Sequence, residues 1–91
     1  MRKSTLTPSK IVPVVLTTLQ LRGGAAIPTD VYIAVEETFP KLSAKETKNL
    51  PYNVRWVRKN LVAKGLISDA ERGLWKLTPA GRKEARALLG A

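Results

Sequence analysis

At 91 residues the chain falls below the usual domain size of about 100–150 residues, so residues 1–91 have material for one domain with one small core. Hydrophobic residues at 44% and charged residues at 25% describe a folded globular protein, and the absence of cysteine and histidine excludes disulfides, thiolate or imidazole metal sites and every cysteine- or histidine-based active site. Sixteen lysines and arginines against seven acids give a net charge of +9, which calls for a polyanionic partner.

The positive charge is segregated. Residues 1–24 carry +4, residues 25–40 carry −3, residues 41–64 carry +6 and residues 65–91 carry +2. Clustering matters because attraction to a phosphate backbone depends on several cations reaching it at once, whereas scattered lysines mainly confer solubility.

The first eight residues read as a tail outside the core. Met1-Arg2-Lys3, the apolar residues 11–21 and Gly23-Gly24-Ala25-Ala26 have the outline of a secretory leader. Lys10, Thr17, Thr18, Gln20 and Arg22 crowd that run, and no stretch approaches the roughly 20 apolar residues that span a bilayer. The expectation is a cytoplasmic protein with no membrane partner, no cofactor and no small-molecule ligand.

A first helix is predicted from Ser9, as N-cap, to Leu21, with Ile11, Val12, Val15, Leu16 and Leu19 on one face, Pro13 near the first turn and Gly23-Gly24 as its end. Ala25-Ala26-Ile27 reads as a stub of strand. A second helix starts at Thr29 or Asp30 and runs to about Thr38, with Val31, Val35 and Phe39 facing the core and Pro40 stopping it. Residues 41–50 read as a basic connection in which Ser43-Ala44-Lys45-Glu46 forms a capping box opening one short turn.

The third long helix is predicted from Pro51 to Lys64, ended by Gly65. Leu50, Val54, Val57 and Leu61 form its apolar stripe, and Arg55, Arg58, Lys59 and Tyr52 lie opposite with Val62 among them. Trp56 and the pair Asn53 and Asn60 occupy the flanks. The period then changes to two: Leu66-Ile67-Ser68, a turn through Asp69 to Gly73, and Leu74 to Thr78 form a hairpin. Thr78-Pro79 opens a last helix with a thin apolar face of Gly81, Ala85, Leu88 and Leu89 beside Arg82 and Arg86. Trp56 and Trp75 both read as core residues.

The fold class is thus mainly α with a small β part (α+β), four helices and a two- or three-stranded sheet. Its order is that of a winged helix-turn-helix, whose third helix enters the major groove and whose hairpin is the wing. Guanidinium forks suit guanine edges and a lysine suits phosphate, so the DNA-binding candidates are Tyr52, Asn53, Arg55, Arg58 and Lys59 on the third helix, Lys45 and Lys48 before it, and Arg72 at the wing tip. Gly73 permits a positive φ there and lets Arg72 approach a phosphate or a narrow minor groove. The expected partner is double-stranded DNA, with a homodimer as a further option.

From about Lys10 to Gly81 the chain resembles the N-terminal domain of Mrr-type restriction endonucleases. The residues that carry the resemblance are Ile11-Val12-Pro13-Val14-Val15-Leu16, Arg55-Trp56-Val57-Arg58-Lys59-Asn60-Leu61, Gly65-Leu66-Ile67 and the run from Arg72 through Gly81. The Leu77-Thr78-x-x-Gly81 part is also similar to winged helices of MarR- and PadR-type regulators. The resemblance implies a winged-helix module that delivers a separate nuclease domain to DNA, sometimes modified DNA, and is itself non-catalytic.

Residues 1–91 show no nuclease domain, so the chain is expected to be either the N-terminal piece of a longer enzyme or a free-standing module. Asp30 with Glu46-Thr47-Lys48 imitates the Asp…Glu-x-Lys spacing of a metal-dependent nuclease, but those carboxylates must sit on adjacent strands to hold a cation, and here a helix cap and a polar turn are expected. Two alternatives stand beside DNA binding. A protein-docking or homodimerising winged helix would show exposed Leu, Phe or Met on the outer face of the third helix, where Arg and Lys stand; structured RNA would be met by the same charge.

Overall fold

The computed structural model describes residues 8–71 and 73–90. Its elements are α1 (Pro8–Leu21), β1 (Ala25–Ala26), α2 (Pro28–Thr38), α3 (Ala44–Ala63), β2 (Ile67–Ser68), β3 (Trp75–Leu77) and α4 (Pro79–Gly90). Residues 1–7 of the expected tail lie outside the described residues, and Pro8 already belongs to α1.

α1 starts one residue before the expected cap, so Ser9 is a helical residue and Pro13 lies inside the helix. There the ring removes the amide that would bond the Ser9 carbonyl. The Thr17 hydroxyl donates to the Pro13 carbonyl at 2.8 Å. The helix ends as the glycines dictate: Gly24 N–H donates to the Leu19 carbonyl at 2.7 Å and Gly23 N–H to the Gln20 carbonyl at 3.1 Å, the paired bonds of a Schellman turn. Both glycines have positive φ.

α2 begins at Pro28, with Ile27 as an N-cap that makes no side-chain bond. Asp30 therefore caps nothing. It lies in the first turn, where its carboxylate suits the helix dipole and accepts from the Arg22 guanidinium at 3.3 Å. Val31 and Val35 are buried and Phe39 packs half-buried against the core.

The largest departure is in α3. The capping box is present, with the Ser43 hydroxyl accepting from Glu46 N–H at 3.1 Å and the Glu46 carboxylate from Ser43 N–H at 3.0 Å. It opens the long helix itself, not a separate turn, so α3 spans 20 residues and Pro51 sits inside it. The reciprocal bonds satisfy orphan amides of the first turn, and Leu50, 2% exposed, anchors the residues before the proline to the core. Gly65, at positive φ, forms a second Schellman turn: Leu66 N–H donates to the Leu61 carbonyl and Gly65 N–H to that of Val62.

The strand stub joins the hairpin to make a three-stranded antiparallel sheet of order β1-β3-β2, with Ala25 opposite Lys76, Ala26 opposite Trp75 and Ile67 opposite Leu77. Trp75 and Leu77 point inward and Lys76 outward, the period-two pattern of a half-buried strand. Thr78 then docks α4: its hydroxyl accepts from Gly81 N–H at 3.0 Å and donates to the Gly65 carbonyl at 2.6 Å. Gly81 and Ala85 are buried, whereas Leu88 and Leu89, expected on the same face, are 42% and 46% exposed.

One apolar cluster joins the elements. Ile11, Val15, Leu16 and Leu19 of α1 meet Val31 and Val35 of α2, the Leu50/Val54/Val57/Leu61 stripe of α3, and Ile67, Trp75 and Leu77 of the sheet. The arrangement, four helices with a small sheet, is compatible with a winged helix-turn-helix in which α2 and α3 form the pair and β2–β3 the wing.

Candidate nucleic-acid interface

Because the stripe of α3 is turned fully inward, the opposite side of the same helix is fixed outward. Lys45, Lys48, Tyr52, Arg55 and Lys59 are all exposed. Their spacings of three and four residues place them along one side of the helix, over about 21 Å at 1.5 Å per residue. Lys45 and Lys48, assigned by sequence to a connection, become part of this row because the helix begins at Ala44. Tyr52, Arg55, Trp56 and Lys59 line an open depression of about 420 Å³.

Three positions differ from expectation. Trp56 is 47% exposed, not core. At 100° per residue it lies about 40° from Tyr52 and about 100° from Val57, the nearest stripe residue, so the helical angle already favoured the outer side over the general tendency of tryptophan to be buried. Arg58 is half-buried, and its guanidinium carbon stands 5.8 Å from the centroid of the Trp75 ring. Its angle is only about 40° from Val54, which brings it over the wing instead of onto the outer face. Val62, also placed on that face by sequence, packs against the core.

Asn53 is half-buried on the flank of α3. Trp75 is buried as expected, and it holds three elements together. Tyr32 of α2 meets it edge-on, with centroids 6.0 Å apart and planes at 82°, while Arg58 of α3 covers it. The Arg58 Nε is buried without a hydrogen-bond partner. The planar cation is thus held by the indole face and by packing, which fixes how β3 sits against α3.

Arg72 lies outside the described residues. Beside it Gly73 has φ +72°, the left-handed turn expected at the wing tip. The Glu71 carboxylate approaches Lys76 at 3.8 Å, an exposed pair. Asp30 and Glu46 both stand in first turns of helices, so neither is on a strand. Among the described residues no three acids gather to hold a cation, and no helix is long and apolar enough to cross a membrane.

The family model described as the Mrr N-terminal domain matches residues 9–87. No curated protein and no solved structure matches. Because the family match runs from the first turn of α1 to the last turn of α4, across the sheet and the whole outer face of α3, the chain belongs to the Mrr N-terminal domain family.

Proposed function

We propose that the chain is the DNA-binding module of an Mrr-type restriction system, with α3 in the major groove of double-stranded DNA and the β2–β3 hairpin as its wing. The observation that carries this reading is the outer face of α3, where Lys45, Lys48, Tyr52, Arg55 and Lys59 stand exposed in one row directly opposite a fully buried stripe. Such a row offers one guanidinium fork to base edges and three point charges to phosphates along a single groove. Arg55 is the base reader, Lys45, Lys48 and Lys59 hold phosphate, and Arg72 adds a backbone or groove-width contact from the wing. Arg58 acts on DNA only by setting the wing against α3.

The module is non-catalytic in this reading. Asp30 and Glu46, the acids that imitate a nuclease spacing, are engaged in a first-turn ion pair and a capping box, and a nuclease would be supplied by another part of the restriction system.

The test is binding to arbitrary duplex over a range of salt. Each lost phosphate contact flattens the slope of log K against log salt by about 0.9, so the double variant Lys48→Ala/Lys59→Ala should lose about 1.8 units of slope. Both residues are exposed, so the fold should survive. An unchanged slope in a folded double variant would remove this face from DNA and favour protein docking.

A further inference from the structure

Tyr52 and Trp56 stand beside each other on the outer face of α3, 70% and 47% exposed, in a molecule whose other tryptophan is 4% exposed. Among the described residues the ring–ring contact joins Tyr32 to Trp75, and the cation over a ring is Arg58 on Trp75. Tyr52 and Trp56 belong to neither, so their rings are left to water. With Arg55 and Lys59 they line the open depression on this face.

An intact duplex has little to offer an indole. Its major groove presents hydrogen-bonding edges, which suit Arg55, while the flat faces of its bases are hidden in the stack. A flat ring flanked by cations is matched by the flat face of a base that has left the stack, with phosphates on either side.

We infer that the Tyr52/Arg55/Trp56/Lys59 depression takes one unpaired nucleobase of DNA. The base stacks on Trp56, Tyr52 closes its edge, Lys59 meets a flanking phosphate and Arg55 holds the edge of the paired base beside it. The inference rests on the duplex-binding reading and adds a preference to it: the domain should favour duplex carrying an unpaired base over the same duplex fully paired. An unpaired base has no pairing partner to give up, so the stacking it gains on the ring is not offset by broken pairing.

The experiment compares the affinity of the full chain for a short labelled duplex with that for the same duplex bearing one unpaired thymidine, at one salt concentration. The bulged duplex should bind about five-fold tighter or more, the lower end of what stacking one base on an aromatic side chain contributes. Trp56→Ala should bring the two affinities together, and Trp56→Phe, which keeps a ring, should retain part of the preference. Circular dichroism checks that each variant folds, and Tyr52→Ala, at a still more exposed position, provides a second variant that should narrow the ratio.

A smaller preference in the parent chain, or a full preference retained in folded Trp56→Ala, overturns the inference and leaves the duplex reading standing. Absence of binding to the paired duplex, with the bulged one still bound, overturns the duplex reading instead. Binding to neither overturns both.

Discussion

Arg58 and Lys59 are neighbours in sequence and opposite in situation. One is half-buried against the Trp75 face and the other is exposed on the outer row of α3. Charge alone does not separate them; the 100° step between them does. Glycines divide in the same way. Gly73 is needed for its positive φ at the wing, but Gly81 is helical and is needed for space, because a Cβ there would collide with the Leu66 carbonyl oxygen. Gly81→Ala gains helix propensity and still should destabilise by about 1–3 kcal/mol, since backbone cannot yield as a side-chain tip can. A lowered midpoint in chemical denaturation checks it. Leu61, 1% exposed at the centre of the core, should cost about 2–5 kcal/mol on truncation to Ala, enough to unfold a domain of this size or shift its melting temperature by many degrees.

At the scale of elements, α3 carries both the success and the main error of pattern reading. The stripe Leu50/Val54/Val57/Leu61 was legible because four apolar residues at helical spacing admit one register, and all four are buried. The start of the helix was not legible, because Ser43 to Glu46 signals a beginning and Pro51 signals another. Local rules cannot rank the two, whereas burial of Leu50 and the reciprocal cap carry the helix through the proline. That proline still lacks an amide for the Thr47 carbonyl. Pro51→Ala should therefore raise stability, by about 1–3 kcal/mol after allowing for the freer unfolded chain. A thermal melt shifted upward is the expected outcome, and a lowered one would mean that the ring's packing matters more than the missing bond. Trp56 is a different case: its helical angle puts it outside, against the usual burial of tryptophan.

For the whole molecule, the element order and the core were readable because α1, α2 and α3 each end at a glycine or proline stop signal and each apolar face has only one side to bury. The pairing of β1 with β3 was not readable, since two alanines carry almost no strand signal and acquire it only when β3 lies alongside. The same view of the whole governs catalysis. With Asp30 and Glu46 committed to separate helix starts, the isolated chain should leave supercoiled plasmid intact with or without Mg²⁺, as agarose gels would show. Linearisation abolished by Asp30→Ala would overturn that expectation.

The sheet joins position 25 to position 76, and Leu77 N–H closes it further on the Gly24 carbonyl at 2.8 Å. Loop closure over so much chain is entropically costly and rewards only a few strand bonds, so it follows rather than leads the collapse of α1 against α2 and α3. The pairing of β1 with β3 should accordingly form late. Lesions in β1 or β3 should act on the rate of unfolding and leave the rate of folding almost unchanged, whereas lesions in the α1–α3 contact should slow folding itself.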